Sequence, residues 1–185
     1  MRVIAGELKG RPLLAPRGWK VRPTSDRVRE AVFSALGEVE GLEVLDLYCG
    51  TGALGIEALS RGARRATLVD RDVRAALGNV EALGLSERVD LIRAEAETWL
   101  GRGAPPETQQ PFDLIFCDPP YKLADRLGPS LDNHLPRLLS ETGRVIVESA
   151  AAKPIGIRSL PRLRQRRYGG TDVSFYGAAG MGDCG

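Results

Sequence analysis

Histidine is almost missing from this sequence: His134 is the only one in 185 residues. That scarcity argues against a histidine-based nucleophile relay and against a His-rich metal site, so no metal is expected. Cysteine is also scarce. Cys49, Cys117 and Cys184 are odd in number and show no C-x-x-C spacing, which speaks against a disulfide framework or a zinc site and favours a reducing cytoplasm. No run of eighteen apolar residues occurs, so no transmembrane helix is expected. The opening Met1-Arg2-Val3-Ile4-Ala5-Gly6-Glu7 has no apolar stretch with a cleavage site behind it, and secretion is not expected. What remains is an ordinary globular composition, 43% hydrophobic, at a length that suits one domain with a real core.

The formal net charge of +2 conceals strong segregation. Residues 1–30 carry eight cations and three acids, and residues 153–167 carry six cations and no acid. Residues 31–152 hold 12 basic and 19 acidic side chains, so two basic ends flank an acidic centre. Such a pattern suits a polyanion held from the termini, although solvated surfaces would produce it too.

Periodicity organises the chain as follows. Arg2-Val3-Ile4 and Pro12-Leu13-Leu14 are short strand candidates. Thr24 or Ser25 caps a helix with an apolar stripe at Val28, Ala31, Val32, Ala35 and Leu36, closed by Gly37. From residue 42, strands alternate with helices: strands at 42–48, 66–69, 89–92, 112–117 and 144–148, and helices at 53–61, 72–83, 95–100 and within 131–140. Two last strands, about 162–168 and 171–176, flank the hairpin pair Gly169-Gly170. Alternation with near-continuous apolar strands predicts an α/β fold: a mostly parallel sheet covered by helices on both faces, with an antiparallel C-terminal hairpin.

Three constellations carry chemistry. The first, Asp46-Leu47-Tyr48-Cys49-Gly50-Thr51-Gly52-Ala53-Leu54-Gly55, lies where a strand turns into a helix. Gly50 and Gly52 let the backbone approach a ligand, and Asp70, twenty residues after Gly50, suits two ribose hydroxyls. This spacing fits a dinucleotide as well as S-adenosylmethionine. Asp46 tilts the choice, because a carboxylate attracts an ammonium or sulfonium and repels a pyrophosphate; it can equally be a structural acceptor for the glycine loop.

The second constellation, Asp118-Pro119-Pro120-Tyr121, follows an apolar strand at the carboxyl edge of the sheet. An exocyclic base amine has two N–H donors, which the Asp118 carboxylate and the Pro119 carbonyl can accept, while Tyr121 stacks on the base. The third is Arg22-Pro23-Thr24-Ser25-Asp26-Arg27-Val28-Arg29-Glu30. Arg22 and Thr24 at a helix start form an anion site for a cofactor carboxylate or an RNA phosphate, or simply cap the helix. Glu95, after the third core strand, can accept from an adenine amine, or only begin a helix.

Taken together, these residues resemble the bacterial 16S rRNA guanine-N2 methyltransferases, the small-subunit rRNA methyltransferase D type. The resemblance runs from Arg2-Val3-Ile4-Ala5-Gly6 and Lys9-Gly10-Arg11 through the 22–30 segment, the glycine loop, Ala58-Leu59-Ser60-Arg61-Gly62-Ala63, Phe112-Asp113 and DPPY to about residue 177. It implies a Rossmann-like class I methyltransferase sheet of seven strands. Residues 1–38 form an N-terminal extension, 39–177 the methyltransferase domain and 178–185 a tail. It further implies S-adenosylmethionine at Asp46, Gly50, Thr51, Gly52 and Asp70, with Glu95, Arg22 and Thr24 completing the cofactor set. Catalysis falls to Asp118, Pro119 and Tyr121, on a guanine N2 of 16S rRNA within a small-subunit particle. The basic ends place RNA contacts at Arg11, Arg27, Arg29, Arg164, Arg166 and Arg167. Cys49 stands where the family often has alanine and Asp70 where glutamate is frequent; neither change threatens cofactor binding.

Rival readings share part of this evidence. An adenine-N6 DNA methyltransferase uses both loops but usually adds a target-recognition region, for which 185 residues leave no room. An NAD-dependent oxidoreductase leaves DPPY unexplained, and a catalytically silent RNA-binding protein leaves Asp118 and Tyr121 without a purpose.

Overall fold

Side chains on the central strands segregate by parity, and the parity defines two layers. Val44, Leu114, Phe116, Ile146, Val173 and Phe175 pack into one apolar cluster. Their neighbours Leu45, Leu47, Ile115, Cys117, Val145, Val147 and Tyr176 pack into another. A pleated strand turns successive side chains to opposite faces, so this division means a sheet buried on both sides. The computed structural model describes residues 1–15, 25–102 and 111–177.

The sheet has seven strands: β1 (Glu43–Leu47), β2 (Arg65–Asp70), β3 (Val89–Arg93), β4 (Phe112–Cys117), β5 (Leu139–Ala150), β6 (Arg162–Tyr168) and β7 (Thr171–Gly177). Their spatial order is β3-β2-β1-β4-β5-β7-β6. β1 to β5 pair in parallel, and β7 runs antiparallel between β5 and β6. The order reverses beside β1: the chain first builds outward to β3, then returns to place β4 on β1's other side. That switch opens a crevice at the strand ends.

Helices α1 (Asp26–Leu36), α2 (Ala53–Ser60) and α3 (Arg74–Ala82) cover the first face, with α4 (Ala96–Arg102) and α5 (Ala124–Leu138) on the second. α1 begins as the capping residues predict: Ser25 Oγ accepts from the Val28 N–H, and the Gly37 N–H closes on the Phe33 carbonyl. Phe33 meets Phe116 of β4 at 5.5 Å between ring centroids. Arg144 of β5 donates to the Leu36 carbonyl at 3.0 Å. These contacts set α1 across the sheet.

Three elements depart from the sequence reading. α5 starts near residue 124 rather than within 131–140, although Pro129 and Pro136 lie inside it. A proline inside a helix costs about 3 kcal/mol, but Leu127, Leu131, Leu135 and Leu138 are buried along one stripe, each worth roughly 2 kcal/mol. Packing wins. β5 is longer than 144–148 because Leu139 pairs with Phe112 at one end, and Ser149 and Ala150 pair with β7 at the other. At the N-terminus, two expected strands reduce to a single antiparallel bridge between Arg2 and Pro12. Backbone bonds from Val3 N to Arg11 O (2.9 Å) and Leu13 N to Met1 O (3.0 Å) complete this hook.

The hook docks on α2. Glu57, buried in α2, accepts from Ile4 N (2.8 Å), Ala5 N (3.0 Å) and Arg61 Nε (2.8 Å). Ser60 Oγ donates to the Ala5 carbonyl and accepts from Leu8 N. Gly6 (φ +81) lies so close to the Ser60 carbonyl that a Cβ would stand 1.8 Å from it. Only glycine fits there.

Candidate active site

Strand register assembles the site. Leu47 of β1 pairs with Val69 of β2 and with Cys117 of β4. One residue further along, Tyr48, Asp70 and Asp118 therefore form a row across three adjacent strand ends. With strands about 4.8 Å apart, Asp70 and Asp118 are separated by roughly 10 Å across Tyr48.

The glycine loop occupies this edge. Gly50 (φ 56) and Gly52 (φ 77) take left-handed backbone, and a Cβ on Gly52 would approach Leu68 at 3.1 Å and Ile56 at 3.3 Å. At Gly55 a Cβ would lie 2.3 Å from the end of the Leu68 side chain, so a larger residue at the start of α2 would have to displace that buried leucine. Tyr48 also has positive φ, at 63°, the one non-glycine case among the described residues. Such a conformation costs on the order of 1–3 kcal/mol and is held by its surroundings. Its hydroxyl is buried, and burial above all, with Cys117, Glu97 and Glu95 nearby, holds the phenol protonated.

Carboxylates dominate the electrostatics. Asp70 is fixed by two backbone donors, Gly50 N on Oδ2 and Asp72 N on Oδ1, each at 2.9 Å. Each oxygen keeps a second lone pair for a hydroxyl donor. Asp46 is buried and accepts from Gly55 N at 3.0 Å. Burial first, then the nearby Asp118 and Asp70 charges, push its carboxyl up to about 8 against the opposing pull of the Gly55 bond. Burial and this same acidic surround raise the Cys49 and Cys117 thiols, which leaves both protonated and unreactive. Among the described residues, no group of His, Cys, Asp and Glu is arranged to hold a metal ion.

This donor set fits a cationic nucleoside ligand. A sulfonium and an ammonium are attracted by the Asp70 and Asp118 carboxylates, which would repel a dinucleotide pyrophosphate. His134 does not assist: it lies ten residues into α5, about 15 Å along the helix, bonded to Arg137.

Of the expected residues, Asp46, Gly50, Thr51, Gly52, Asp70, Asp118 and Pro119 share this edge, with Glu95 exposed at the start of α4. Tyr121 opens a 3-10 turn, Tyr121–Leu123, held by Leu123 N on the Pro120 carbonyl; its side chain lies outside the described atoms. Arg22 and Thr24 lie outside the described residues.

The RNA set divides. Arg27, Arg166 and Arg167 are exposed, and Arg11 is exposed with one nitrogen on the Ala82 carbonyl at 3.3 Å. Arg29 corrects the sequence reading. It is fully buried, donating to the Arg2 carbonyl (2.6 Å) and to Asp26 (3.0 Å), and reaches no phosphate. It fastens the hook to α1 instead. Pairing with Phe175 and Val173 turns Arg164 and Arg166 to the face that carries α1, while Arg167, opposite Asp172, turns to the other. On the α1 side, a cavity of about 290 Å³ lies between the hook and α1, lined by Arg2, Lys9 and Arg27 among others.

Sequence reasoning missed Asn79, Glu97 and the strain at Tyr48. Asn79 is buried in α3 and donates to the Thr51 carbonyl at 3.0 Å. An isolated asparagine in a helix carries no sequence pattern that would reveal this.

Comparison with known proteins decides the family. The family described as conserved hypothetical protein 95 matches residues 1–177. The ribosomal RNA small subunit methyltransferase D of Haemophilus influenzae is 36% identical over 162 residues, covering 84% of this chain and 81% of that protein. The chain belongs to the ribosomal RNA small subunit methyltransferase D family. The Bacillus subtilis protein YlbH is 39% identical over 184 residues, 95% of this chain and 98% of its own length. Among solved structures, Escherichia coli YhhF superposes with a TM-score of 0.78 at 28% identity, covering 96% of this chain and 97% of that one. The sheet order and hairpin are thus those of a Rossmann-like methyltransferase.

Proposed function

We propose that this chain methylates the exocyclic N2 of a guanine in 16S rRNA, using S-adenosylmethionine. The observation that carries the reading is the row Tyr48, Asp70 and Asp118, set by register at the sheet's switch point and carrying two acids. Membership in the small-subunit rRNA methyltransferase family supports the substrate class.

When bound, S-adenosylmethionine supplies an electrophilic methyl group. Asp70, already braced by two backbone N–H groups, accepts from ribose hydroxyls, and Glu95 accepts from the adenine amine. Asp70 and Asp118 supply the negative potential that favours a cation, and Asp46 holds the glycine loop through the Gly55 N–H. In the other half of the crevice, the Asp118 carboxylate and the Pro119 carbonyl accept the two N2 protons of a guanine drawn out of its stack. This grip directs the nitrogen lone pair at the incoming carbon. With the methyl passing from the sulfonium to N2, the S–C bond would break and S-adenosylhomocysteine would be the leaving group; N2 would give up one proton, which Asp118 is placed to take. Positioning supplies most of the acceleration, so no strong base is needed. Tyr121 stacks on the base, and Arg11, Arg27, Arg164 and Arg166, on the α1 side of the sheet, hold phosphates; Arg167 faces away from them.

The test is Asp118→Ala. Methylation of small-subunit particles should fall by about 100-fold or more, while S-adenosylhomocysteine affinity measured by calorimetry stays within twofold. Retained turnover would remove Asp118 from the mechanism. Mass spectrometry of 16S rRNA from a strain lacking the gene should show the loss of one N2-methylguanosine.

A further inference from the structure

Asn79 uses its whole side-chain amide, and all of it joins two segments distant in sequence. Oδ1 accepts from Leu14 N at 2.8 Å, while Nδ2 donates to the Leu14 carbonyl at 3.0 Å and to the Thr51 carbonyl at 3.0 Å. Both Nδ2 hydrogens are thereby used, and the side chain is 1% exposed. The constellation admits one residue type. Aspartate lacks the two donors, glutamine is a methylene too long, and an apolar residue would leave three backbone groups unpaired.

The two ends matter for what they belong to. Thr51 is buried between Gly50 and Gly52, in the loop whose Gly50 N–H braces Asp70. Leu14 lies near the end of the N-terminal hook, which presents exposed Arg2, Lys9 and Arg11 and docks separately on α2 through Glu57 and Ser60. Helix α3 also backs the loop, since a Cβ on Gly52 would stand 3.5 Å from that of Ala76. Only through Asn79 do the described hydrogen bonds run from Leu14 to the glycine loop.

We infer that Asn79 is a positioning residue that couples docking of the N-terminal hook to the shape of the cofactor loop. The inference rests on the cofactor reading proposed above. Coupling of this kind is reciprocal: a ligand that orders the loop must also tighten the hook, and loosening the hook must weaken the ligand. Leu14 thus affects cofactor affinity through Asn79, from the hook rather than from the loop.

The experiment measures S-adenosylhomocysteine binding by calorimetry, together with amide exchange at Val3, Gly10 and Leu13. In the wild type, S-adenosylhomocysteine should slow exchange at these hook amides. Asn79→Asp should weaken the ligand by about tenfold and abolish that protection. Leu14→Pro removes one donor and leaves the Asn79 bond to Thr51 available; it should weaken the ligand by about fivefold. Turnover at saturating cofactor should stay within twofold in both, which separates positioning from general damage. Unchanged affinity in a folded Leu14→Pro protein, or wild-type hook amides indifferent to the ligand, would overturn the inference. Should either variant fail to fold, the wild-type exchange comparison still decides. A wild type that binds no S-adenosylhomocysteine would instead defeat the cofactor reading itself.

Discussion

Asp46 shows how one side chain can answer two demands. Its burial and acidic neighbours hold it protonated up to about pH 8, while the Gly55 N–H gives it an acceptor's place in the loop. Its folded pKa is raised above the unfolded value, so the folded state binds the extra proton. The associated stability is full below about pH 4 and is lost as pH rises through about 8. Thermal melts of the ligand-free protein should therefore show lower stability at pH 8.5 than at pH 6. Asp46→Asn keeps the acceptor for Gly55 and removes the titration, so its melting temperature should vary less over the same range. If wild type and Asp46→Asn showed the same pH profile, the assigned titration would be wrong. Tyr48 makes a related point about sequence: its residue type gives no hint of a φ of 63°, which arises because the chain must turn sharply from β1 into the glycine loop.

Among elements, the hook and α2 form one unit. Glu57 satisfies two hook N–H groups and Arg61 at once, so Glu57→Ala leaves several partly buried donors without partners. We expect a loss of about 2–4 kcal/mol in chemical denaturation, with faster exchange at Ile4 and Ala5. A change below about 0.5 kcal/mol would mean that the hook is held by apolar packing alone. Helix α5 teaches the opposite lesson about local rules. Pro129 and Gly128 disfavour a helix locally, yet four buried leucines outweigh them, so adjacent residues alone do not reveal its full length. The caps of α1 were readable because Ser25 and Gly37 act on their own backbone within a few residues. The full length of β5 was not, because its ends exist only by pairing with β4 and β7.

For the molecule as a whole, charge is placed by the sheet. Arg164 and Arg166 face the α1 side, where Arg27 and the exposed cations of the hook also lie, while Arg167 faces away and Arg29 is interior. RNA affinity should fall steeply with salt. Arg166→Ala should weaken binding without changing which nucleotide is methylated, and should lower the log–log salt slope by about 1. Arg29→Lys should leave that slope unchanged while lowering the melting temperature. A reversed pattern, with the slope responding to Arg29 and not to Arg166, would refute this placement of the RNA surface.

The alternation of strands and helices, the glycine loop, the two strand-end acids and the DPPY turn were all present in the linear chain. They could be read there because each depends on residues a few positions apart and on the pleat or the helical turn. Which of those residues meet was decided by tertiary structure. Register across β2, β1 and β4 aligned Asp70, Tyr48 and Asp118, burial took Arg29 away from any nucleic acid, and Asn79 joined residues 14 and 51. Such relations depend on which surfaces the folded chain brings together, a property that no stretch of neighbouring residues contains.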